Sequence, residues 1–302
     1  MTSTAIILIL CSAFLHAGWN LITKKQNPSG AFFLVGHILV FLCAIPVLIY
    51  FRTNIELIPH SVWMLLMATG FFNAIYYFSL AWAYRNGDLT IAYPLAKSLP
   101  TIFLTLLAFA TGKGHEIGSI AIMGIGLIVV GCTILPMRQF NEFDPRKYLN
   151  LCCLLAGVAA AGTAGYTLVD KEAMSILSHM EGSPFTTFQA ALIYLLLLLS
   201  ISTLWLIVGV FTFKTERMHF KEIVKNSKFN ALLMGLGMYL AYILILIAMV
   251  FVQNVSYVSA FRQTCILIGT IFGVTLLKEK AYAPKLTGIV IVFVGLILVA
   301  IG

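Results

Sequence analysis

Residues 89–111 read LTIAYPLAKSLPTIFLTLLAFAT, preceded by Arg85-Asn86-Gly87-Asp88 and followed by Gly112. Lys97 is the only charge in that stretch. A bilayer core of about 30 Å is crossed by about 20 mostly apolar residues in an α-helix, so the stretch reads as a membrane-spanning helix with one cation inside it. Working outward, nine more runs have the same character: 2–23, 31–51, 62–84, 117–136, 148–170, 185–212, 229–252, 256–277 and 284–301. Charges and turn formers separate them, at Lys24 to Gly30, Arg52 to His60, Gly112 to Glu116, Arg138 to Lys147, Lys171 to Pro184, Phe213 to Lys228, Gln253 to Val255 and Lys278 to Pro284. The fold class is therefore all-α integral membrane, with ten transmembrane helices.

Composition agrees. Of the 302 residues 61% are hydrophobic and only 10% charged, too few for the surface of a water-soluble globule. No connection is long enough to hold a folded catalytic module. A net charge of +8 would suggest nucleic acid in a soluble protein, but here the cations sit between apolar runs, and no nucleic-acid partner is expected. The six cysteines lie in apolar stretches without metal-ligand spacing and read as packing groups, so neither a metal nor a cofactor is expected. Leu8-Ile9-Leu10-Cys11 superficially resembles a lipoprotein cleavage box, yet no positive segment precedes it, and the first helix reads as uncleaved.

Odd-numbered connections, with Lys285 at the edge of the last run, carry fourteen of the nineteen Lys and Arg, even-numbered ones three. The positive-inside rule then puts the odd connections in the cytoplasm and both termini outside a plasma or inner membrane, with lipid as the first partner. The basic connection Phe213 to Lys228 reads as an amphipathic segment on anionic cytoplasmic lipid. The halves 1–143 and 144–302 also resemble one another. Gly-Trp-Asn-Leu-Ile-Thr-Lys at 18–24 aligns with Gly-Tyr-Thr-Leu-Val-Asp-Lys at 165–171, Lys97 with Arg262, and Gly124 and Gly131 with Gly288 and Gly295. Five helices per half invert the second half relative to the first, the architecture of alternating-access carriers.

Candidate site residues follow from the cost of polarity in lipid, roughly 2.5 to 3.5 kcal/mol for a charge at a helix centre. Lys97 and Arg262 lie several residues inside their helices, toward opposite faces. Either they snorkel to headgroups or, as their matching placement favours, they face a cavity that attracts an anion or a zwitterion's anionic group. No Asp or Glu is expected deep in a helix to neutralise them, since Asp88 and Asp170 stand at expected helix ends. Asp170 is read as a solvated terminus in preference to a proton site. Pro94 and Pro100 remove backbone donors beside Lys97, which makes either a structural bend or a hinge. His16 and Asn20 share a face of the first helix. His16 is either a proton carrier or a helix-to-helix hydrogen-bonding group. Trp19 and its counterpart Tyr166 either stack on substrate or anchor at an interface. Asn73, Tyr76, Tyr77, Trp82 and Tyr84 in the third run, with Tyr239 and Tyr242 in the eighth, suit a cavity wall as well as a core. The repeated glycines read as points of close helix contact.

His-Ala-Gly-Trp-Asn at 16–20, Ala-Tyr-Pro-Leu-Ala-Lys at 92–97, Tyr-Thr-Leu-Val-Asp-Lys at 166–171, Phe-Arg-Gln-Thr at 261–264 and Leu-Leu-Lys-Glu at 276–279 together resemble the EamA-type branch of the drug/metabolite transporter superfamily over nearly the whole chain. The resemblance implies a central cavity lined by helices 1, 3, 4, 6, 8 and 9, with Trp19, Tyr93, Lys97, Tyr166 and Arg262 as cavity candidates. The first half departs from the pattern, with Gly112-Lys113-Gly114-His115-Glu116 where the second has Leu277-Lys278-Glu279-Lys280. Glu116 and Glu279 are accordingly not assigned equivalent parts. Substrates of the superfamily range from amino acids and quaternary amines to sugar phosphates. The expected function is a secondary carrier, an exporter or exchanger, of small polar anionic or zwitterionic metabolites by alternating access. Its partners are that small-molecule substrate and the bilayer, with room for proton coupling and a homodimer. A flippase for lipid-linked or amphipathic molecules is the alternative. An enzyme is not expected, because no paired carboxylates, metal cluster or nucleophile with a base share one depth.

Overall fold

The computed structural model describes residues 3–26, 28–112, 117–141, 149–178, 186–250 and 262–301. Every regular element among them is helical: α1 (Ser3–Lys25), α2 (Gly30–Tyr50), α3 (Arg52–Ile55), α4 (His60–Asn86), α5 (Leu89–Ala110), α6 (Ser119–Ile134), α7 (Leu151–Ser178), α8 (Thr187–Thr212), α9 (Lys214–Asn226), α10 (Lys228–Val250), α11 (Thr264–Leu276) and α12 (Ala283–Ile301). Eight of these are long and apolar enough to cross a membrane, and α6 and α11 are shorter apolar helices. All ten expected spans thus have a helical counterpart. The first residues of the span 256–277, the whole connection Gln253 to Val255, and parts of the connections at 113–116, 142–147 and 179–184 lie outside the described residues.

One boundary is corrected. The sequence places the end of the sixth span at residue 170, but α7 continues to Ser178. Lys171 and Glu172 are charged yet good helix formers. Beyond them, Ala173 and Leu177 are buried in an apolar cluster with Val62 and Leu66 of α4 and Ile193, Leu197 and Ile201 of α8. Burial of that face carries the helix past its charges, and Asp170 is therefore not a helix terminus. A smaller difference lies in the connection 52–60, which contains the single turn α3.

The chain divides into two compact units. The first comprises Met1–Pro28, Ser79–Ala161 and Gly237–Gly302, the second Ser29–Phe78 and Gly162–Leu236. One boundary falls just before α2 and the other three within α4, α7 and α10, and each unit draws on both sequence halves. The second spans of the two halves, α2 and α8, belong to the second unit, while α5, α6, α11 and α12 belong to the first.

In the first unit α6 and α12 pack antiparallel through the repeated glycines. A Cβ on Gly124 would lie 2.6 Å from the carbonyl oxygen of Gly295, and one on Gly131 2.8 Å from that of Gly288. Lipid tails are as apolar as Leu, so helices in a bilayer associate by close van der Waals contact, and small residues permit it. Gly126 takes no part, because nothing from a neighbouring helix lies within 4 Å of where its Cβ would stand.

The second unit uses the same device where Gly235 faces the carbonyl of Gly36, at 2.9 Å from a would-be Cβ. It also covers helix ends with side chains. Ser29 accepts from the N–H of Phe32, and Glu216 of α9 accepts from the N–H of Ala31 at 2.9 Å, so a distant carboxylate completes the start of α2. Thr186 and Gln189 form a capping box at α8. The amphipathic α9 buries Glu216 and Ile223 and exposes Met218 and Val224.

Enlarging Gly131 or Gly295 to Val forces the α6–α12 backbones apart and is expected to cost about 1–3 kcal/mol, read as a lower midpoint of thermal unfolding in detergent. Gly126→Ala is expected to leave the midpoint unchanged.

Candidate functional site

The first unit holds a chain of polar side chains within its helices. Helix α1 can carry His16 and Asn20 on one face because they are four residues apart, and both are buried. Asn20 donates through Nδ2 to the carbonyl of His16 at 2.7 Å and lies 3.2 Å from its Nδ1. Tyr84 of α4 donates its hydroxyl to Asn20 Oδ1 at 2.5 Å. Tyr93 and Lys97, four residues apart on α5, reach the same imidazole from its two sides. Tyr93 Oη is 3.0 Å from Nδ1 and Lys97 Nζ 2.9 Å from Nε2. With the ammonium of Lys97 donating, Nε2 is the bare nitrogen and Nδ1–H donates to Tyr93 Oη.

Depth matters here. His16 lies nine residues from the end of α1 and Lys97 eight from the start of α5, about 12–14 Å inside those helices at 1.5 Å per residue. Arg262, just before α11, is close enough for its charge to act on both His16 and Lys97. Among the described residues neither Lys97 nor Arg262 forms an ion pair with a carboxylate. Trp19 is buried with its ring centroid 5.0 Å from that of His16. Tyr93 packs flush on α11 because position 269 is glycine, where a Cβ would lie 2.6 Å from its ring.

Six expected residues, His16, Trp19, Asn20, Tyr93, Lys97 and Arg262, are thus brought together, and Tyr84 joins them. Pro94 and Pro100 stand in the same helix, which runs through both without interruption. Ser98 donates its hydroxyl to the Pro94 carbonyl at 2.8 Å. Of the eighth-span aromatics, Tyr239 is half-buried and Tyr242 is 39% exposed. Asn73, Tyr77 and Tyr166 belong to the second unit. Asn73 donates to the Thr69 carbonyl at 3.0 Å, Tyr77 sits between the rings of Phe33 and His37, and Tyr166 lies edge-on to Tyr76.

Two polar clusters escaped the sequence reading. One is Asp170, bonded by the hydroxyls of Thr69 and Tyr194. This corrects the expectation that no carboxylate lies within a helix. The other lies at the end of the first unit where α4 turns into α5. Glu279 accepts from the N–H groups of Leu89 at 2.6 Å and Thr90 at 2.9 Å, supplying the cap that Asp88, though in the N-cap position, does not make. Lys278 adopts a left-handed backbone (φ 56°) just before it. Lys285 is buried and bonds Asp88 Oδ2 at 2.9 Å and the Lys280 carbonyl at 3.0 Å. Lys24 donates to the Gly87 carbonyl at 2.6 Å and to that of Tyr84. The α4–α5 turn is thereby held by α1 on one side and by the α11–α12 connection on the other. Leu-Leu-Lys-Glu at 276–279 was visible as a motif, but its bonding partners stand about 190 residues away and leave no local trace.

Residues 3–137 match the sequence model described as the EamA-like transporter family. That stretch, a little under half of the chain, is similar to that family. The match covers α1 to α6 and bears out the resemblance to the drug/metabolite transporter superfamily. Together with the apolar helices it supports an integral membrane protein of the transporter kind. None of the curated proteins compared matches the sequence.

Removing the Glu279 carboxylate strips the cap from the first turn of α5. Glu279→Ala is expected to cost about 1–2 kcal/mol, measured as a lower unfolding midpoint in detergent. Glu279→Gln, which keeps one acceptor oxygen, is expected to recover about half of that loss.

Proposed function

We propose that the chain is a secondary carrier, exporter or exchanger, of a small polar metabolite that bears a carboxylate or phosphate, and that Lys97 and Arg262 recognise that group. The observation that carries the reading is the pairing of cations without carboxylates. Lys97 spends its ammonium on a neutral imidazole nitrogen at 2.9 Å, and a second cation acts on the same imidazole. Among the described residues neither cation meets a carboxylate; a charge at the depth of Lys97 costs several kcal/mol, and an anionic guest offsets the cost. Tyr93 holds the imidazole from its Nδ1 side, so Lys97 is aimed rather than free to snorkel. Trp19 supplies an apolar wall beside it.

Alternating access is supported by the residue-level repeat and by three pairs of equivalent spans, α2 with α8, α5 with α11 and α6 with α12, that each share one compact unit. In this reading the ties of Glu279, Lys285 and Lys24 around the α4–α5 turn close the cytoplasmic side, the termini are outside, and opening inward requires those bonds to part. Pro94 and Pro100, whose missing N–H groups leave α5 with fewer internal bonds, are the hinge. The flux is driven by exchange or by a coupled proton.

The test is a thermal-shift screen of the purified protein against organic acids, amino acids, phosphorylated compounds and quaternary amines. An anion or zwitterion is expected to stabilise the wild type, by about 2.7 kcal/mol at a hundredfold excess over its Kd. Lys97→Ala and Arg262→Ala are each expected to weaken that ligand by about 10- to 100-fold, the worth of one charged hydrogen bond. Stabilisation by quaternary amines alone, or full affinity in both folded variants, would overturn the charge assignment.

A further inference from the structure

Asp170 lies deep in the second unit, and the anion site has no use for it. We infer that it is a proton-binding site: its carboxyl group takes up one proton on Oδ2 and releases it again. Its role in coupling rests on the carrier reading above, whereas the protonation does not.

Position sets the problem. Thr69 stands nine residues into α4 and Tyr194 seven into α8, so the carboxyl group they bind lies about 10–14 Å inside the helix ends. The apolar cluster of Leu66, Ala173, Leu177, Ile193 and Leu197 lies alongside. A carboxylate at that depth is expensive unless it is paired, and no cation pairs with it among the described residues. Within the second unit, the charged or titratable groups on the helices around it are Tyr166, Lys171 and Glu172 on α7, His60, Tyr76 and Tyr77 on α4, and Tyr194 on α8. His37 of α2 is occupied with the Phe33 carbonyl at 2.9 Å.

The bonding geometry suits both protonation states. Tyr194 donates to Oδ1 at 2.6 Å and Thr69 donates to the same atom, so both hydroxyls act on one oxygen. Asn73 donates to the main-chain carbonyl of Thr69, and the Tyr166 carbonyl, at 3.4 Å, is the more distant acceptor for the Thr69 hydroxyl. When the group is ionised, the two hydroxyls stabilise it at Oδ1. When a proton is added at Oδ2, Oδ1 becomes the carbonyl oxygen of the acid and keeps both donors. The proton therefore enters and leaves without any hydroxyl having to turn. Asp170 is also only partly buried. His16 offers no such freedom: both its nitrogens are engaged, and a proton there would be a third positive charge beside Lys97 and Arg262.

A purely structural tie between α4, α7 and α8 would use the same bonds, and the experiment separates the two. A hydrophobic carbodiimide modifies protonated carboxyl groups within membranes. The full chain in lipid vesicles is treated with dicyclohexylcarbodiimide over a pH series, and the adduct is located by peptide mass spectrometry. Asp170 is expected to carry it, with yield falling about tenfold per pH unit above the midpoint. Asp170→Asn is expected to fold and to lose the adduct. Tyr194→Phe, with or without Thr69→Ala, removes donors that favour the ionised form and is expected to move the midpoint upward by about one pH unit. No adduct at any pH, or a yield independent of pH, overturns the inference whatever transport does. In proteoliposomes Asp170→Asn is expected to retain exchange of a bound anion and to lose its response to an imposed pH gradient; an unchanged response overturns the coupling role. A titrating Asp170 adduct in a protein that binds none of the screened anions sinks the carrier reading and leaves the proton site standing.

Discussion

Hydrocarbon offers a backbone no hydrogen-bonding partner, and each group left unpaired there costs several kcal/mol. Helices satisfy all but their first N–H and last C=O groups, so the ends become the places where side chains are committed. Here several ends are completed from far along the chain. Glu216 finishes α2, Glu279 finishes α5, and Lys24 covers the carbonyls where α4 stops. These are tertiary contacts as much as caps, because each ties two elements that are not neighbours in sequence. The fold is therefore stitched at its helix ends by charged side chains, while glycines let the helix bodies meet.

The same insulating medium explains why charges inside the bundle come in distinct arrangements. Lys285 is matched by Asp88, an ion pair at the margin that also steadies the α4–α5 turn. Among the described residues Asp170 has hydroxyls and no cation. Lys97 has an imidazole and a like-charged neighbour. A chain shaped only for stability would favour the first solution throughout, since a half-compensated charge in low dielectric is costly. The other two arrangements are those expected where a solute or a proton is to be held and then let go, because a fully compensated charge has nothing left to offer a guest.

Much of this was legible in the residues themselves. The ten apolar runs, their approximate ends, the repeated glycines as points of close contact, the shared face of His16 and Asn20, and Lys97 as a charge needing a reason all follow from local rules: span length, four-residue spacing, and the high cost of a charge in lipid. Reading failed where a local cue was contradicted by distant burial. Lys171 and Glu172 look like a helix end, but Ala173 and Leu177 pack against α4 and α8 and carry the helix on. That one error hid Asp170, which a true helix end would have left in water.

Sequence alone determined that this chain lives in a bilayer as helices, since apolar length and composition allow no other way to satisfy the backbone. It also determined which residues are too polar to be there without reason. Only the tertiary structure decided what those residues do for one another: that Lys97 meets an imidazole rather than a carboxylate, that Asp170 meets two hydroxyls, and that Glu279 reaches across the chain to a backbone about 190 residues away. Partner choice depends on which helices come into contact, and helix contact in lipid is set by the shapes of small-residue surfaces, which hydropathy does not encode.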